Sequence, residues 1–341
     1  MNLKEIAKTA GVSPSAVSLV LNGKSGVGAQ TRAQVSQLLL ANGYIIAPRQ
    51  NNERAKSICF LKLSRHGHLV NGNADFTARI MDAAEKECRR FGYEFRVVVF
   101  HSDQFPEILK KLHSNMPDGI LLLGTELTRE DMPYLSQIPV PLVVVDNLLE
   151  LEDYSCVDMN NEDASYKIVE YLCQRGHREL GYLYNNLPSS NCTARYQAFR
   201  EALPKFGLFM PEENVFPVSP VFTDAYMDTL TLLQNRQKLP EALVATNDTI
   251  ALAASKAILE FGLRIPEDIS VIGFDNIQFA AFSVPALTTI SVSCTDIGIW
   301  AIRLLQDRIL YPHSPAVKIQ VGTELISRES VRDCRLSAAT K

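Results

Sequence analysis

The 341-residue chain has little that would place it in or beyond a membrane. Its longest apolar runs, as in "DGILLLG" and "VPLVVVD", span five to six residues, where a spanning helix needs roughly 20. The opening "MNLKEIAKTAG" mixes charges with apolar residues and has none of the apolar stretch of a secretion signal. The seven cysteines (59, 88, 156, 173, 192, 294 and 334) are odd in number and form no C-x-x-C pair. Reduced thiols in a cytoplasmic protein are therefore expected. Catalytic signatures are missing as well: there is no H-E-x-x-H, no G-x-S-x-G, and no glycine-rich phosphate loop ending in Gly-Lys-Ser or Gly-Lys-Thr. None of the six histidines is paired at helical spacing with another and a carboxylate. His66 and His68 share a glycine-flanked loop in which a metal site is the weaker reading, and His177 in "RGHREL" reads as structural. No enzyme, metal or cofactor is expected.

What is present is an uneven distribution of charge. Residues 1–56 hold seven basic side chains against two acidic, inside a chain whose net charge is −4. A small basic head on an acidic body suits a nucleic-acid module joined to a domain that repels DNA, and a merely solvated basic helix reads almost as well. At this length two or three domains are expected.

Periodicity gives the head its shape. Leu3, Ile6, Ala7 and Ala10 form one helical stripe, and Gly11 suits a left-handed helix end. Ser13 followed by Pro14 is a start signal: a side chain that caps, then a residue that needs no N–H. The next helix puts Val17, Val20 and Leu21 inside and Ser15, Ser18, Leu19 and Asn22 outside. A third, about 31–41, buries Val35, Leu38 and Leu39. Three short helices with a tight turn make a helix-turn-helix. Residues 45–57 are polar with no apolar stripe and read as a linker. Beyond them, near-continuously apolar strands alternate with helices from "SICFLKL" to "ISVIGFD". That alternation means parallel sheets covered on both faces, and so many units divide into two doubly wound lobes that meet at a cleft.

"LKEIAKTAGVSPSAVSLVLNG", "VGAQTRAQVSQLLLANGY", "RGHRELGYL", "PEALVATNDTIALAASKAI" and "IPEDISVIGFDNIQFAAFSVPALTTI" together resemble the lactose/galactose-repressor (LacI) family of bacterial transcription regulators. The likeness runs over nearly the whole chain. It implies an α/β fold class: an all-α helix-turn-helix head (1–44), a hinge (45–57), and a two-lobed periplasmic-binding-protein-like core (58–330) before a tail (331–341). The first lobe would hold about 58–158 and 292–312, the second about 159–291 and 313–330. It also implies a homodimer on a pseudo-palindromic operator in double-stranded DNA, with affinity switched by a small-molecule effector, a sugar or sugar derivative, and regulation of carbohydrate-related genes. A transport-type sugar-binding protein should lack the head. A sugar-metabolising enzyme should show a catalytic constellation.

On that resemblance the DNA-facing residues are Lys4, Ser13, Pro14, Ser15, Ser18, Leu19, Asn22, Lys24, Thr31 and Arg32, with Arg49 and Arg54 in the linker. Leu19 stands where many members carry arginine, so bidentate guanine readout is missing from this helix and a thymine methyl is its natural contact. The linker has no leucine between Tyr44 and Ile58 to wedge into a minor groove. Arg49 and Arg54 entering a narrow groove, and a plain tether, are both open readings. The effector-facing residues would be Phe76, Asp146, Asn191, Arg195, Phe222, Asn247 and Asp275. Asp248 reads instead as the N-cap of the helix it begins.

Overall fold

The computed structural model describes residues 1–24, 26–44, 46, 55–69, 74–236 and 238–335. Arg49 and Arg54 lie outside the described residues. The chain forms two compact units, Met1–Ala55 and Lys56–Lys341.

The smaller unit is three helices: α1 (Leu3–Ala10), α2 (Pro14–Leu21) and α3 (Ala29–Ala41). Asn2 caps α1, accepting from the N–H groups of Lys4 and Glu5 at 3.1 and 3.0 Å, while Glu5 accepts from Asn2 N–H at 2.9 Å. Gly11 ends α1 at φ 67°, where a side chain would be strained. The Ser13 hydroxyl oxygen accepts from Ala16 N–H at 3.2 Å, so the Ser-Pro start signal works as the sequence implies. Ile6, Ala7, Ala10, Val17, Val20, Val35 and Leu39 form the core, with Leu3, Leu21 and Leu38 half-buried at its margin.

The larger unit contains two six-stranded sheets. The first is built from β1 (Ser57–Ser64), β2 (Glu94–His101), β3 (Gly119–Leu123), β4 (Leu142–Val145), β5 (Ser155–Met159) and β11 (Lys318–Val321). Its order is β11-β5-β4-β3-β1-β2, parallel throughout. The second uses β6 (Leu180–Asn185), β7 (Val215–Val218), β8 (Ala242–Ala245), β9 (Ser270–Asp275), β10 (Thr288–Val292) and β12 (Thr323–Ile326). Its order is β12-β10-β9-β8-β6-β7, parallel except where β12 runs against β10. Every residue of β3, β4, β8 and β9 is buried, as helices on both faces require. Those helices include α4 (Ala74–Arg90), α5 (Phe105–Ser114), the short α6 (Met132–Leu135), α7 (Asn161–Gln174), α8 (Ser190–Ala202), α9 (Phe222–Asn235), α10 (Asp248–Glu260), the short α11 (Gln278–Phe282) and α12 (Cys294–Leu310).

One lobe boundary differs from the expected one. The segment 313–330 does not belong whole to the second lobe: Lys318–Val321 pairs with β5 in the first sheet, and only Thr323–Ile326 joins the second. The chain thus crosses between the lobes three times, after β5, after β10 and between β11 and β12. β11 is an edge strand with alternating half-buried and exposed residues, so no apolar run declares its partner.

Asp248 also departs from expectation. Asn247 is the cap of α10, its side chain accepting from Ile250 N–H at 2.9 Å. Asp248 is fully buried and clasps neighbouring elements: Thr289 Oγ1 donates to it at 2.6 Å and Ile277 N–H at 2.9 Å. Gly273 makes room, since a Cβ there would lie 2.1 Å from Asp248 Oδ1. The clasp fixes the turn that follows β9, in which Asp275 and Asn276 adopt φ of 109° and 51°.

Two consequences can be measured. A Cβ on Gly298 would lie 2.5 Å from the Ile80 carbonyl oxygen, because α12 crosses α4 at close range. Gly298→Ala should therefore destabilise the fold by about 1–3 kcal/mol in urea denaturation, despite its better helix propensity. Burial, followed by the charge of Asp275, pushes the Asp248 carboxyl up to about 8. A carboxyl with a raised folded pKa holds its proton more tightly when folded, so its contribution is lost as pH climbs from the unfolded value near ~4 through the folded one. Asp248→Asn does not titrate, and it can keep both contacts by accepting from Ile277 N–H through its amide oxygen while its amide nitrogen donates to the Thr289 hydroxyl. Its stability should fall less than that of the wild type between about pH 5 and 8, by up to about 1.4 kcal/mol per pH unit. Equal slopes would show that Asp248 is already ionised.

Candidate DNA-reading face and ligand cleft

On the head, Pro14, Ser15, Ser18, Leu19, Asn22 and Lys24 line one shallow groove. These are six of the ten expected DNA-facing residues within the described head. The face is nearly uncharged: α2 has no acidic residue in its first turn and no basic one in its last. Leu19 is half-buried, lies outside the head's apolar core and rests near Gly26, whose Cβ would sit 3.5 Å from Leu19 Cδ1. Asn22 turns back on its own helix, donating to Ser18 O at 2.9 Å and Ser18 Oγ at 3.3 Å. Among the neighbours, Lys4 and Lys24 are exposed, Thr31 and Arg32 half-buried, and Arg32 donates to the Lys24 carbonyl. Ser13 is exposed while its oxygen serves as the cap described above.

In the larger unit the ends of several parallel strands converge. Leu69, Phe76, Asp146, Asn191, Arg195, Asn247 and Asp275 all border one small cavity of about 40 Å³. Six of the seven expected effector-facing residues are therefore brought together. The seventh, Phe222, is not: it opens α9 with its ring 40% exposed and lines neither this cavity nor the larger one beside it. Matching a position is not enough to aim a ring inward when the helix begins at that residue.

Arg195 is the hub. Although only 6% exposed, its guanidinium uses all three nitrogens: Nε donates to Asn161 Oδ1 at 2.9 Å, Nη1 to the Thr246 carbonyl at 2.9 Å, and Nη2 to Met159 Sδ at 3.1 Å. Nη2 also pairs with Asp275 Oδ1 at 3.3 Å, and the Phe274 ring lies 3.7 Å beneath the guanidinium carbon. Burial opposes the charge, but Asp275 and its neighbours keep the group firmly protonated. Opposite, Asp146 follows β4 with φ of 64°, accepting from the Thr125 hydroxyl and from Asn191 Nδ2 at 2.8 Å. Burial raises its carboxyl to about 6, against the lowering effect of the Thr125 hydrogen bond and of Arg195. Asn191, on α8 of the second lobe, also reaches Asp158 Oδ1 of the first at 3.2 Å and receives Asn161 Nδ2 at 3.0 Å.

Several members of this network were not marked by the sequence. Asp158, Asn161, Thr125 and Thr246 lie on or just past strand ends, which is the one signal that could have found them. Glu126 is another: its buried carboxylate accepts from the backbone N–H of Arg65, His66, Gly67 and Leu69 and so pins the loop that carries His66 and His68 beside the cleft. His177, fully buried with Nε2 2.9 Å from Ser270 Oγ, is structural as read. A second, larger cavity of about 590 Å³ opens between the loops after β3 and β4 and the start of α8. No helix among the described residues is long and apolar enough to cross a membrane.

Comparison with known proteins places this architecture. Residues 2–45 match the model for bacterial regulatory proteins of the lacI family, and 169–331 the model for a periplasmic binding protein-like domain. The chain is 31% identical to the HTH-type transcriptional repressor PurR of Pasteurella multocida, over 97% of this chain and 98% of that one. It is likewise 31% identical to PurR of Mannheimia succiniciproducens over 97% and 98%. Among solved structures, a complex of the transcriptional regulator CelR with cellobiose superposes with TM-score 0.71 at 26% identity, covering 97% of this chain and 99% of that one. The lac repressor dimer bound to operator and anti-inducer superposes with TM-score 0.73 at 22% identity over 97% and 99%. With a matching head and relatives 31% identical over nearly the whole of both chains, the chain belongs to the lacI family of bacterial regulatory proteins.

Proposed function

We propose that this chain is a transcriptional repressor of carbohydrate-related genes, acting in the cytoplasm. As a homodimer it binds a pseudo-palindromic operator in double-stranded DNA, and a small molecule in the cleft, a sugar or sugar derivative, switches its affinity. The observation that carries the ligand half is the convergence of Asp146, Asn191, Arg195, Asn247 and Asp275 on one cavity at the strand ends. Carboxylate, amide and guanidinium groups fixed by rigid strands are what a polyhydroxylated ligand needs for orientation. The cellobiose held by the similar CelR supports a sugar. The names of the PurR relatives support a repressor.

The head supports DNA binding in which affinity and readout come from different residues. Lys4, Lys24 and Arg32 supply charge against phosphate, while Ser15, Ser18 and Leu19 present small and apolar groups to base edges. A homodimer is supported by large apolar side chains left exposed on the core: Val97 and Val99 on the edge strand β2, and Phe279 and Phe282 on α11. Coupling follows from population shift: the ligand favours one closure of the lobes, and closure changes the spacing of the heads in the dimer.

A gel-shift titration against the upstream region of the chain's own operon tests the regulator reading, which fails if no salt-sensitive complex forms at low salt. Leu19→Arg should change which operator is selected more than it changes whether DNA is bound. An unchanged consensus in a binding-site selection would mean that Leu19 does not face the bases. Asp275→Ala should abolish the small-molecule response while operator binding persists, and a surviving response would move the pocket elsewhere.

A further inference from the structure

Away from the cleft, the first sheet is not fully filled where α5 covers it. Register places Cys59 of β1 beside Arg96 of β2 and Leu61 beside Val98, and all four line one cavity. From above, α5 closes over them with Ile108 and Leu112. At the start of that helix Phe105 packs on Phe100 and Tyr134, with ring centroids 4.9 and 5.1 Å apart. Toward its end no aromatic ring lines the wall, Cys59 is small, and about 310 Å³ stays open. Packed interiors leave few voids larger than a water molecule, and this volume lies at the lower end of small-molecule sites.

The wall is largely apolar and its charge has one sign. Its charged side chains are Arg96 and Lys111, and no carboxylate lines it. Lys111 is exposed and pairs with Glu107, one turn back, at 2.8 Å. Arg96 is half-buried, donates to Ser57 Oγ and forms no ion pair among the described residues. Asp118 accepts from Ser57 N–H at 2.6 Å rather than from Arg96. Burial raises the Cys59 thiol, and the Arg96 charge is close enough to oppose that rise, which sets the guanidinium beside the cavity wall. Arg65 and Arg195, by contrast, each pair with an aspartate.

We propose that this cavity is a second ligand site, separate from the cleft, and that it takes a medium-chain fatty acid. The alkyl chain lies against Leu61, Val98, Ile108 and Leu112, and the carboxylate meets the unpaired Arg96 guanidinium. A fatty alcohol would leave that cation without an acid, and an alkylammonium would meet like charge. A small anion without a chain would gain nothing from the apolar wall. Val97 and Val99 point to the other face of β2. A ligand here and a second copy of the chain against those valines therefore use opposite faces of one strand.

The test is isothermal titration calorimetry on the full-length protein with hexanoate, octanoate and decanoate, and with decanol and decyltrimethylammonium as neutral and cationic counterparts. One saturable site per chain is expected, tightening about tenfold for every two CH2 groups added. Decanoate should bind about tenfold or more tightly than either counterpart. Arg96→Gln should remove that lead and leave decanol binding as it was. Val98→Phe, which fills the cavity, should abolish decanoate binding, and Asp275→Ala should bind decanoate like the wild type. Folding of each variant is checked by thermal melting, and if one fails to fold the wild-type series alone still decides. The proposal is overturned if decanoate shows no saturable binding, if chain length has no effect, or if a counterpart binds as well. It is also overturned if Arg96→Gln keeps the preference or a folded Val98→Phe binds undiminished. Loss of binding in Asp275→Ala would put the acid in the cleft and overturn it too.

Discussion

A guanidinium buried at the meeting of two sheets dictates much of what surrounds it. Leaving a charge without partners in a protein interior costs several kcal/mol, so Arg195 must find a full set of acceptors without water. It draws them from Asn161, the Thr246 carbonyl, Asp275 and Met159, and lies on the Phe274 ring. Those groups come from three separate stretches of chain on both lobes. The strands that carry them must therefore end at matching depth, and the crossovers after β5 and β10 must be short. Asp275 is held at that depth by the Asp248 clasp, and Asp248 is admitted only because Gly273 has no side chain.

The two lobes solve the same problem with the same device. Asp146 follows β4 in the first sheet and Asp275 ends β9 in the second, and both take a positive φ. A non-glycine residue in that region costs of order 1–3 kcal/mol and persists only when its surroundings over-determine it. Here the surroundings do: Asp146 N–H is bonded to the Val157 carbonyl at 3.0 Å and its carboxylate to Thr125 and Asn191. Each sheet thus aims one strained carboxylate at the cleft from a rigid strand. Rigid strands give orientation, and strained turns give the reach that a straight strand would lack.

How much of this was legible depended on whether burial left a local trace. The apolar strands "ILLL", "LVVV" and "SVIGF" announce themselves because both their faces are covered. The head was legible because its three stripes repeat at helical period and its caps are the residues that caps require. β11 was not, since an alternating edge strand carries no sign of which sheet it joins. Asp158 in "SCVDMNNED" looks like one more acid before a helix start, and its burial is a property of the neighbouring strands rather than of its own segment. Asp248 looked like a cap because it begins a helix, yet the residue before it caps, and the carboxylate turns inward to β10. Phe222 shows the converse, a position that matches a pattern without its side chain entering the cavity.

The chemistry of the cleft also bears on how a small ligand can move a large protein. Where the strand ends face each other, the contacts between lobes are polar: Asn191 with Asp146 and Asp158, and Arg195 with Met159. Net hydrogen bonds contribute only about 0.5–1.5 kcal/mol each, somewhat more to charged groups. Moving a two-state population from one extreme to the other takes about 5.5 kcal/mol of differential binding. A ligand that exchanges three or four such bonds for better ones, and ionises or neutralises a buried carboxylate as it does so, commands energy of that size. A dry apolar seam at the same place would have to be broken as a unit and would give a ligand little to exchange. The buried polar groups that look like a liability for stability are what make the arrangement of the lobes adjustable.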